Sequence, residues 1–231
     1  MKAPDASASR QALFARPFES TVVPLLRDDV DTDQIIPARY LKGTERTGLG
    51  EGLFAGWRYL SEGQKDPEFE LHQPHFQGGQ ILLGGDNFGC GSSREHAVWA
   101  LMEQGFRVVL APRFADIFRT NALGNGLLVI DLSAESHQEL SRRALAEAPF
   151  SCRVDLSNQE LQWAEGGRFS FQIDPFARGC LLRGEDRLGY LLAQASAIDA
   201  FEVNHPFRPR TLLKIADSGD GDSGSSARSE S

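Results

Sequence analysis

The residues whose types and spacing best fit chemistry form a glycine-rich turn between a predicted strand at 81–84 and a predicted helix at 92–104. The turn reads Gly84-Gly85-Asp86-Asn87-Phe88-Gly89-Cys90-Gly91-Ser92-Ser93-Arg94. Glycines let a backbone turn tightly and approach a ligand, and a helix start presents unpaired N–H groups to an anion. Arg94 can bind a carboxylate through two parallel hydrogen bonds. A hydroxyl in this field could act as a base, because its deprotonated form would be stabilised. The turn therefore predicts a site for a small polyanionic substrate.

The same turn also has a purely structural interpretation. Ser92, with Glu95 three residues later, fits a capping box, in which each side chain satisfies a backbone donor at the start of a helix. Spacing alone favours neither interpretation. The motif is not a Walker loop, because no Lys-Ser/Thr pair follows the glycines, and it lacks the GxGxxG order of dinucleotide sites. By themselves, the residues indicate anion binding and no reaction type.

The elements that must position the turn alternate between strands and helices. We predict strands at 21–25, 81–84, 106–111 and 127–130, with helices at 92–104 and 114–123, and short connections of this kind imply parallel strands with right-handed crossovers. A helix at 135–148, short strands between 152 and 173 and a helical segment at 175–201 follow. The sequence predicts one α/β domain over residues 13–215 with a long early loop at about 42–74. Residues 1–12 are expected to be flexible, and the acidic Ser/Gly tail at 216–231 to be disordered.

Composition limits the function classes. The chain has 231 residues, 41% of them hydrophobic, which is enough for one substantial domain. Its formal net charge of −8 argues against nucleic acid or an anionic membrane as the main partner. Three scattered cysteines, Cys90, Cys152 and Cys180, are too few for a disulfide framework or for the four thiolates of an ordinary iron–sulfur cluster, so we expect no metal centre in this chain. The sequence shows no apolar run of membrane-spanning length and no signal-peptide core, so we expect a cytoplasmic protein.

Four motifs in the same order resemble a known family. Residues 87–97 resemble the swivel-domain signature of the aconitase superfamily. Together with residues 31–37 (Asp-Thr-Asp-Gln-Ile-Ile-Pro), 46–50 (Arg-Thr-Gly-Leu-Gly) and 114–118 (Phe-Ala-Asp-Ile-Phe), they are similar to the small subunits of bacterial isopropylmalate dehydratases. The resemblance covers about residues 20–205. It implies a swivelling β/β/α domain in a chain of its own, which pairs with a large subunit that carries a [4Fe–4S] cluster.

The resemblance also implies roles for individual residues. Ser92 matches the catalytic base, and Ser93 and Arg94 match substrate-binding positions, with Arg94 pairing a carboxylate. Arg46 falls where a second carboxylate-binding arginine is expected, although a solvated loop arginine is an equal alternative. The implied reaction interconverts 2-isopropylmalate and 3-isopropylmalate through a dehydrated intermediate in leucine biosynthesis, with the cluster of the large subunit as Lewis acid.

Two alternatives remain open. Related hydro-lyases act on methylmalate or citraconate, on maleate, or on homocitrate, and residues 42–57 are expected to discriminate among these substrates. Leu49, Leu53 and Phe54 could offer an apolar wall to an isopropyl group. From another functional class, the turn could belong to a non-catalytic anion-binding module.

Neighbouring residues carry weaker expectations. Cys90 is predicted to be a small buried residue rather than a nucleophile or cluster ligand. His96 is predicted to hydrogen bond within the fold rather than to act as an acid. Asp31 and Asp33 are expected to belong to an acidic turn, with positioning of the adjacent segment as the alternative, and neither is expected to be catalytic.

Overall fold

The computed structural model describes residues 13–41, 48–60, 63–146, 149–185 and 187–204. In this part of the chain seven strands form one sheet. The strands are β1 (Phe18–Leu25), β2 (Ile81–Gly84), β3 (Val108–Ala111), β4 (Leu128–Asp131), β5 (Ser151–Asp155), β6 (Glu160–Trp163) and β7 (Arg168–Ser170). The helices are α1 (Thr32–Ile35), α2 (Ala55–Arg58), α3 (Glu95–Glu103), α4 (Asp116–Asn125), α5 (Ala134–Ala146), α6 (Pro175–Arg183), α7 (Arg187–Ala193) and α8 (Ala195–Asn204). Short 3-10 helices lie at Ala38–Tyr40, Gly50–Gly52, Glu70–His72, Pro74–Phe76 and Ala164–Gly166.

The sheet is half parallel and half antiparallel, and β1 joins the two halves. Its strand order is β4-β3-β2-β1-β5-β6-β7. β1 to β4 pair in parallel, as the alternation of strands and helices predicts, whereas β5, β6 and β7 continue from β1 in antiparallel pairs. The predicted α/β class is therefore confirmed. The helical segment predicted at 175–201 is divided, because Gly184 ends α6 in the left-handed conformation at φ +70°.

Alternating side chains of the central strands build a separate core on each face of the sheet. One face carries Val23, Leu25, Leu82 and Val109, and packs with residues of α1, α3 and α4. The other face carries Val22, Ile81, Leu83, Val108 and Leu110, and packs with α5, α6 and the antiparallel strands. Because both faces are covered, β2 and β3 consist of apolar residues that are buried without interruption.

The chain divides into two compact units, one ending at Tyr190 and the other beginning at Leu191. In the second unit the described residues are the end of α7 and α8, and all residues of α8 are exposed. The predicted flexible segment 1–12, the predicted tail 216–231 and the boundary at 215 lie outside the described residues. No helix in the described ranges is both long enough and apolar enough to cross a membrane.

The described part of the early loop is packed into the core. It contains short helical turns, and Leu49, Leu53 and Phe54 are 4%, 0% and 0% exposed. All three belong to the core that lies against α3 and α4. The prediction that they form an apolar wall for a substrate is therefore wrong, since core packing already occupies their side chains.

The carboxylate of Glu103, at the end of α3, anchors this loop to the helix. Its two oxygens accept hydrogen bonds from three consecutive backbone N–H groups, those of Gly48 (2.7 Å), Leu49 (2.6 Å) and Gly50 (2.8 Å). An ionised carboxylate is a stronger acceptor than a neutral oxygen. Glu103 therefore fixes the backbone that directly follows residues 42–47.

Replacing Glu103 with Gln is expected to loosen this anchor, because a neutral amide has one acceptor oxygen where the carboxylate has two. Hydrogen exchange of the amides of residues 48–50 should accelerate roughly tenfold or more, while the amides of β2 keep their protection. Glu135 is an exposed glutamate on α5. Glu135→Gln serves as the matched control and should leave the hydrogen exchange of residues 48–50 unchanged. Equal exchange of residues 48–50 in wild type and Glu103→Gln would show that the carboxylate does not hold the loop.

Candidate active site

The candidate site lies where the parallel neighbours β1 and β2 end at the same edge of the sheet. The segments that follow the two strands stay paired beyond it. Gly89 N donates to Val30 O at 2.7 Å, and Thr32 N donates to Cys90 O at 2.9 Å. In open sheets, ligands bind outside the carboxyl ends of parallel strands. The glycine-rich turn is thus held against the start of α1.

The glycine turn needs its glycines because of backbone conformation and close packing. Gly89 and Gly91 have φ values of +79° and +91°, in the left-handed region. A Cβ atom at Gly89 would lie 2.2 Å from Cγ of Phe118, on α4. Because Gly89 has no side chain, the turn can pack directly on α4.

The capping box of this region belongs to α1 and not to α3. Asp31 Oδ1 accepts from Gln34 N at 2.7 Å, and Gln34 Oε1 accepts from Asp31 N at 2.9 Å. The predicted pairing of Ser92 with Glu95 is wrong, because α3 begins at Glu95 with Arg94 as an N-cap residue that makes no side-chain cap hydrogen bond. The helix thus starts three residues later than predicted, and Ser92 stays outside it.

Ser92 is exposed and its hydroxyl contacts Thr32. The two side-chain oxygens lie 3.2 Å apart. The carbonyl oxygen of Ser92 accepts from Thr32 Oγ1 at 3.2 Å and from Arg94 N at 2.8 Å. Thr32 itself is 2% exposed. Ser92, the candidate base, is therefore exposed to solvent. Its carbonyl oxygen is held by hydrogen bonds from Thr32 and Arg94.

Arg94 is held by Asp33, the next residue of α1. Its Nη1 and Nη2 donate to the two carboxylate oxygens of Asp33, the second at 3.0 Å. The hydrogen bond from Arg94 lowers the pKa of the Asp33 carboxyl, and the same pairing raises the pKa of Arg94. The pairing engages two of the five N–H donors of the guanidinium. The other three can bind a further carboxylate.

The remaining predicted site residues have different outcomes. Ser93 is exposed beside Ser92 and Arg94, so the structure brings three of the four predicted site residues together. Arg46, the fourth, lies outside the described residues.

Cys90 and His96 differ in part from their predictions. Cys90 is only partly buried, and its thiol donates to Asp29 O at 3.3 Å. Burial, followed by the charges of Asp31 and Asp29, raises the pKa of this thiol, which disfavours the nucleophilic thiolate. The His96 ring lies 4.7 Å from that of Trp99. The predicted hydrogen bond of His96 is not found at Nε2, which has no partner among the described residues.

The cysteines of this chain do not fit an iron–sulfur cluster. Cys152 and Cys180 are buried, and burial raises the pKa of Cys152 to about 12. Across the described ranges, no group of three or more His, Cys, Asp or Glu side chains could hold a metal ion.

Sequence reasoning missed the contacts that Thr32 and Asp33 make with the turn. The only available signal was the acidic turn that follows a predicted strand, because parallel strands place the segments after them at one edge. That signal indicates that the two segments lie close together, but it does not show which of their residues form contacts.

The chain is similar in sequence and in fold to known proteins. Residues 17–135 match the family model of the aconitase C-terminal domain. The chain is 49% identical over 193 residues to a 3-isopropylmalate dehydratase small subunit of Roseiflexus sp. (strain RS-1), which covers 84% of this chain and 95% of the relative. It is 54% identical over 187 residues to that of Anaeromyxobacter dehalogenans (strain 2CP-C), which covers 81% of this chain and 96% of the relative. The crystal structure of a 3-isopropylmalate dehydratase from Methanocaldococcus jannaschii aligns with a TM-score of 0.60 at 28% identity, covering 81% of this chain and 99% of that one.

Replacing Arg94 with Gln is expected to raise the pKa of Asp33 toward its ordinary value, because the donors that favour the ionised carboxylate are lost. A pH titration of the Asp33 carboxyl carbon by NMR measures this change. In the wild type, the pairing stabilises the fold above the unfolded pKa of about 3.9, and this contribution is lost as pH falls through the lower folded pKa. In Arg94→Gln, the pH-dependent contribution of Asp33 to the free energy of unfolding should be smaller.

Arg113→Gln is the matched control for this titration. Arg113 pairs with Asp86 at 2.7 Å, and both side chains are exposed. Its loss should leave the titration of Asp33 unchanged. An Asp33 carboxyl that titrates alike in wild type and Arg94→Gln would contradict the pairing.

Proposed function

This chain belongs to the family of 3-isopropylmalate dehydratase small subunits, and on that premise we propose that it supplies half of the active site of a hydro-lyase. The enzyme interconverts 2-isopropylmalate and 3-isopropylmalate by dehydration and rehydration. The observation that carries the proposal is the presence of an exposed hydroxyl, Ser92, and a guanidinium with free donors, Arg94, on one turn at the carboxyl edge of a parallel sheet.

The proposed roles follow from the chemistry of each group. Ser92 takes the proton from the substrate carbon in dehydration and returns one in hydration. Arg94 binds a substrate carboxylate through the donors that Asp33 leaves unused. Ser93 contacts the substrate beside them. Arg46 binds a second carboxylate, the role that the family resemblance implies for it.

A large partner subunit completes the site in this proposal. The partner carries a [4Fe–4S] cluster, in keeping with the match of this chain to the aconitase C-terminal domain. Such a cluster supplies Lewis acidity to the hydroxyl group that leaves. The exposure of Gly91, Ser92 and Ser93 suits a half-site that the partner covers. We place the enzyme in leucine biosynthesis and in the cytoplasm.

The substrate's alkyl group needs an apolar contact of its own. Because Leu49, Leu53 and Phe54 are in the core, the contact is supplied by other residues of this chain or by the partner. Methylmalate, citraconate, maleate and homocitrate differ from isopropylmalate in this group. A panel of these substrates with the assembled enzyme therefore tests the substrate assignment, and faster turnover of another member would replace it.

Ser92→Ala is expected to abolish measurable turnover when the chain is co-expressed with its large subunit and the cluster is reconstituted anaerobically. Loss of a general acid–base group lowers kcat by roughly 10²- to 10⁴-fold. Assembly, measured by size-exclusion chromatography, should persist because the substitution removes a single hydroxyl group. Ser93→Ala is the matched comparison and should mainly raise KM, since it removes binding rather than proton transfer. A Ser92→Ala complex with wild-type kcat would refute the assigned base.

The isolated chain is expected to be inactive, since it holds only part of the catalytic machinery. The measurement is turnover of 3-isopropylmalate by highly purified chain, with no partner and no iron, compared with the reconstituted complex. Catalysis by the chain alone would contradict a divided active site.

A further inference from the structure

The hydroxyl of Thr32 lies against the side chain and the backbone of Ser92 at once. Oγ1 is 3.2 Å from Ser92 Oγ and 3.2 Å from the Ser92 carbonyl oxygen. The surrounding backbone fixes it, because Thr32 N donates to Cys90 O at 2.9 Å and Thr32 O accepts from Ile36 N at 3.0 Å. Its β-branched side chain is also restricted at χ1. A buried hydroxyl is thus held at hydrogen-bond distance from the proposed base.

Two proton arrangements satisfy this geometry. When Ser92 is protonated, it can donate to Thr32 Oγ1 while Thr32 donates to the Ser92 carbonyl oxygen. When Ser92 is deprotonated, its Oγ can only accept, and the proton of Thr32 can turn to it. The carbonyl oxygen then keeps the hydrogen bond from Arg94 N at 2.8 Å. Both arrangements use the same heavy-atom positions, so when Ser92 gains or loses its proton, only the hydroxyl of Thr32 has to rotate.

We infer that Thr32 is a positioning residue for catalysis, whose hydroxyl turns to Ser92 when that residue loses its proton and so stabilises the deprotonated base. The inference rests on the function proposed for Ser92. Hydrogen bonds to an ionised acceptor are stronger than those between neutral groups. The bond therefore favours the deprotonated form of Ser92 over the protonated form.

The dehydration step balances with these groups. The Ser92 oxyanion removes a proton from the substrate carbon and forms an O–H bond, and the C–H electron pair becomes the new C=C bond as hydroxide leaves the neighbouring carbon. As Ser92 gains its proton, the Thr32 hydroxyl turns back to the carbonyl oxygen. Hydration reverses each of these changes.

The charged and titratable groups around the pair make other contacts, although His96 Nε2 has no hydrogen-bond partner among the described residues. They are Arg94 with Asp33, Asp31 with Gln34 N, the Cys90 thiol with Asp29 O, Glu95 with Asn125 Nδ2, and the His96 ring beside Trp99. In the described part of the chain, Thr32 is the side chain that hydrogen bonds to Ser92 Oγ. Since substitutions of Thr32 leave the other groups in place, a changed pH profile reports on the hydroxyl itself.

The test compares Thr32→Val with Thr32→Ser in the reconstituted two-subunit enzyme. Valine keeps the branched shape and removes the hydroxyl, whereas serine keeps the hydroxyl. For Thr32→Val, we expect kcat at pH 7 to fall roughly 10- to 100-fold with little change in KM. The rising limb of kcat against pH should move to higher pH, because the deprotonated base is less stable. Thr32→Ser should restore both toward wild type.

The outcomes separate this inference from the proposed function. If Ser92→Ala is inactive but Thr32→Val keeps the wild-type kcat and pH profile, the inference is overturned and the base assignment stands. If Ser92→Ala keeps the wild-type kcat, both are wrong. If Thr32→Val does not assemble, Thr32→Ala removes the same hydroxyl without adding carbon and is compared with Thr32→Ser in its place. A loss that appears only in KM or in melting temperature, with an unmoved pH profile, shows a merely structural role.

Discussion

The site depends on the parallel backbone pairing of the two segments that follow β1 and β2. The pairing continues past the strands through Gly89 to Val30 and Thr32 to Cys90. It docks α1, a capped helical turn, against the glycine-rich turn. Several residues of the glycine-rich turn have a left-handed backbone conformation, so this turn has little regular structure of its own. Because backbone hydrogen bonds are directional, this pairing fixes where successive side chains of α1 meet successive residues of the turn.

Two consecutive residues of α1 hold two different chemical groups in this way. Thr32 points into the fold and contacts Ser92, while Asp33 lies outside and pairs with Arg94. In the proposed function, the first contact bears on proton transfer and the second on the orientation of a cation. A short capped turn is rigid enough to serve both, since each of its ends is tied by hydrogen bonds. Residues with no direct part in the proposed reaction thus set the geometry of those that have one.

The arrangement also explains how the proposed half-site would be ordered by itself. The negative charge of Asp33 balances Arg94, so the guanidinium is ordered without a substrate. Residues 48–50 of the early loop are fixed by Glu103 and by the burial of Leu49. Much of the proposed binding surface is therefore formed in advance, which would lower the entropy lost on binding of substrate and partner.

The sequence by itself determined the α/β class, the order of strands and helices around the site, and the turn that carries Ser92, Ser93 and Arg94. These follow from apolar periodicity and from residue chemistry, both of which are local properties. Only the tertiary structure decided where the capping box forms, that Thr32 and Asp33 contact the turn, and that the apolar residues of the early loop belong to the core. The physical reason is distance along the chain. Thr32 and Ser92 are 60 residues apart, and their contact exists because β1 and β2 pair in one register, which no local pattern specifies.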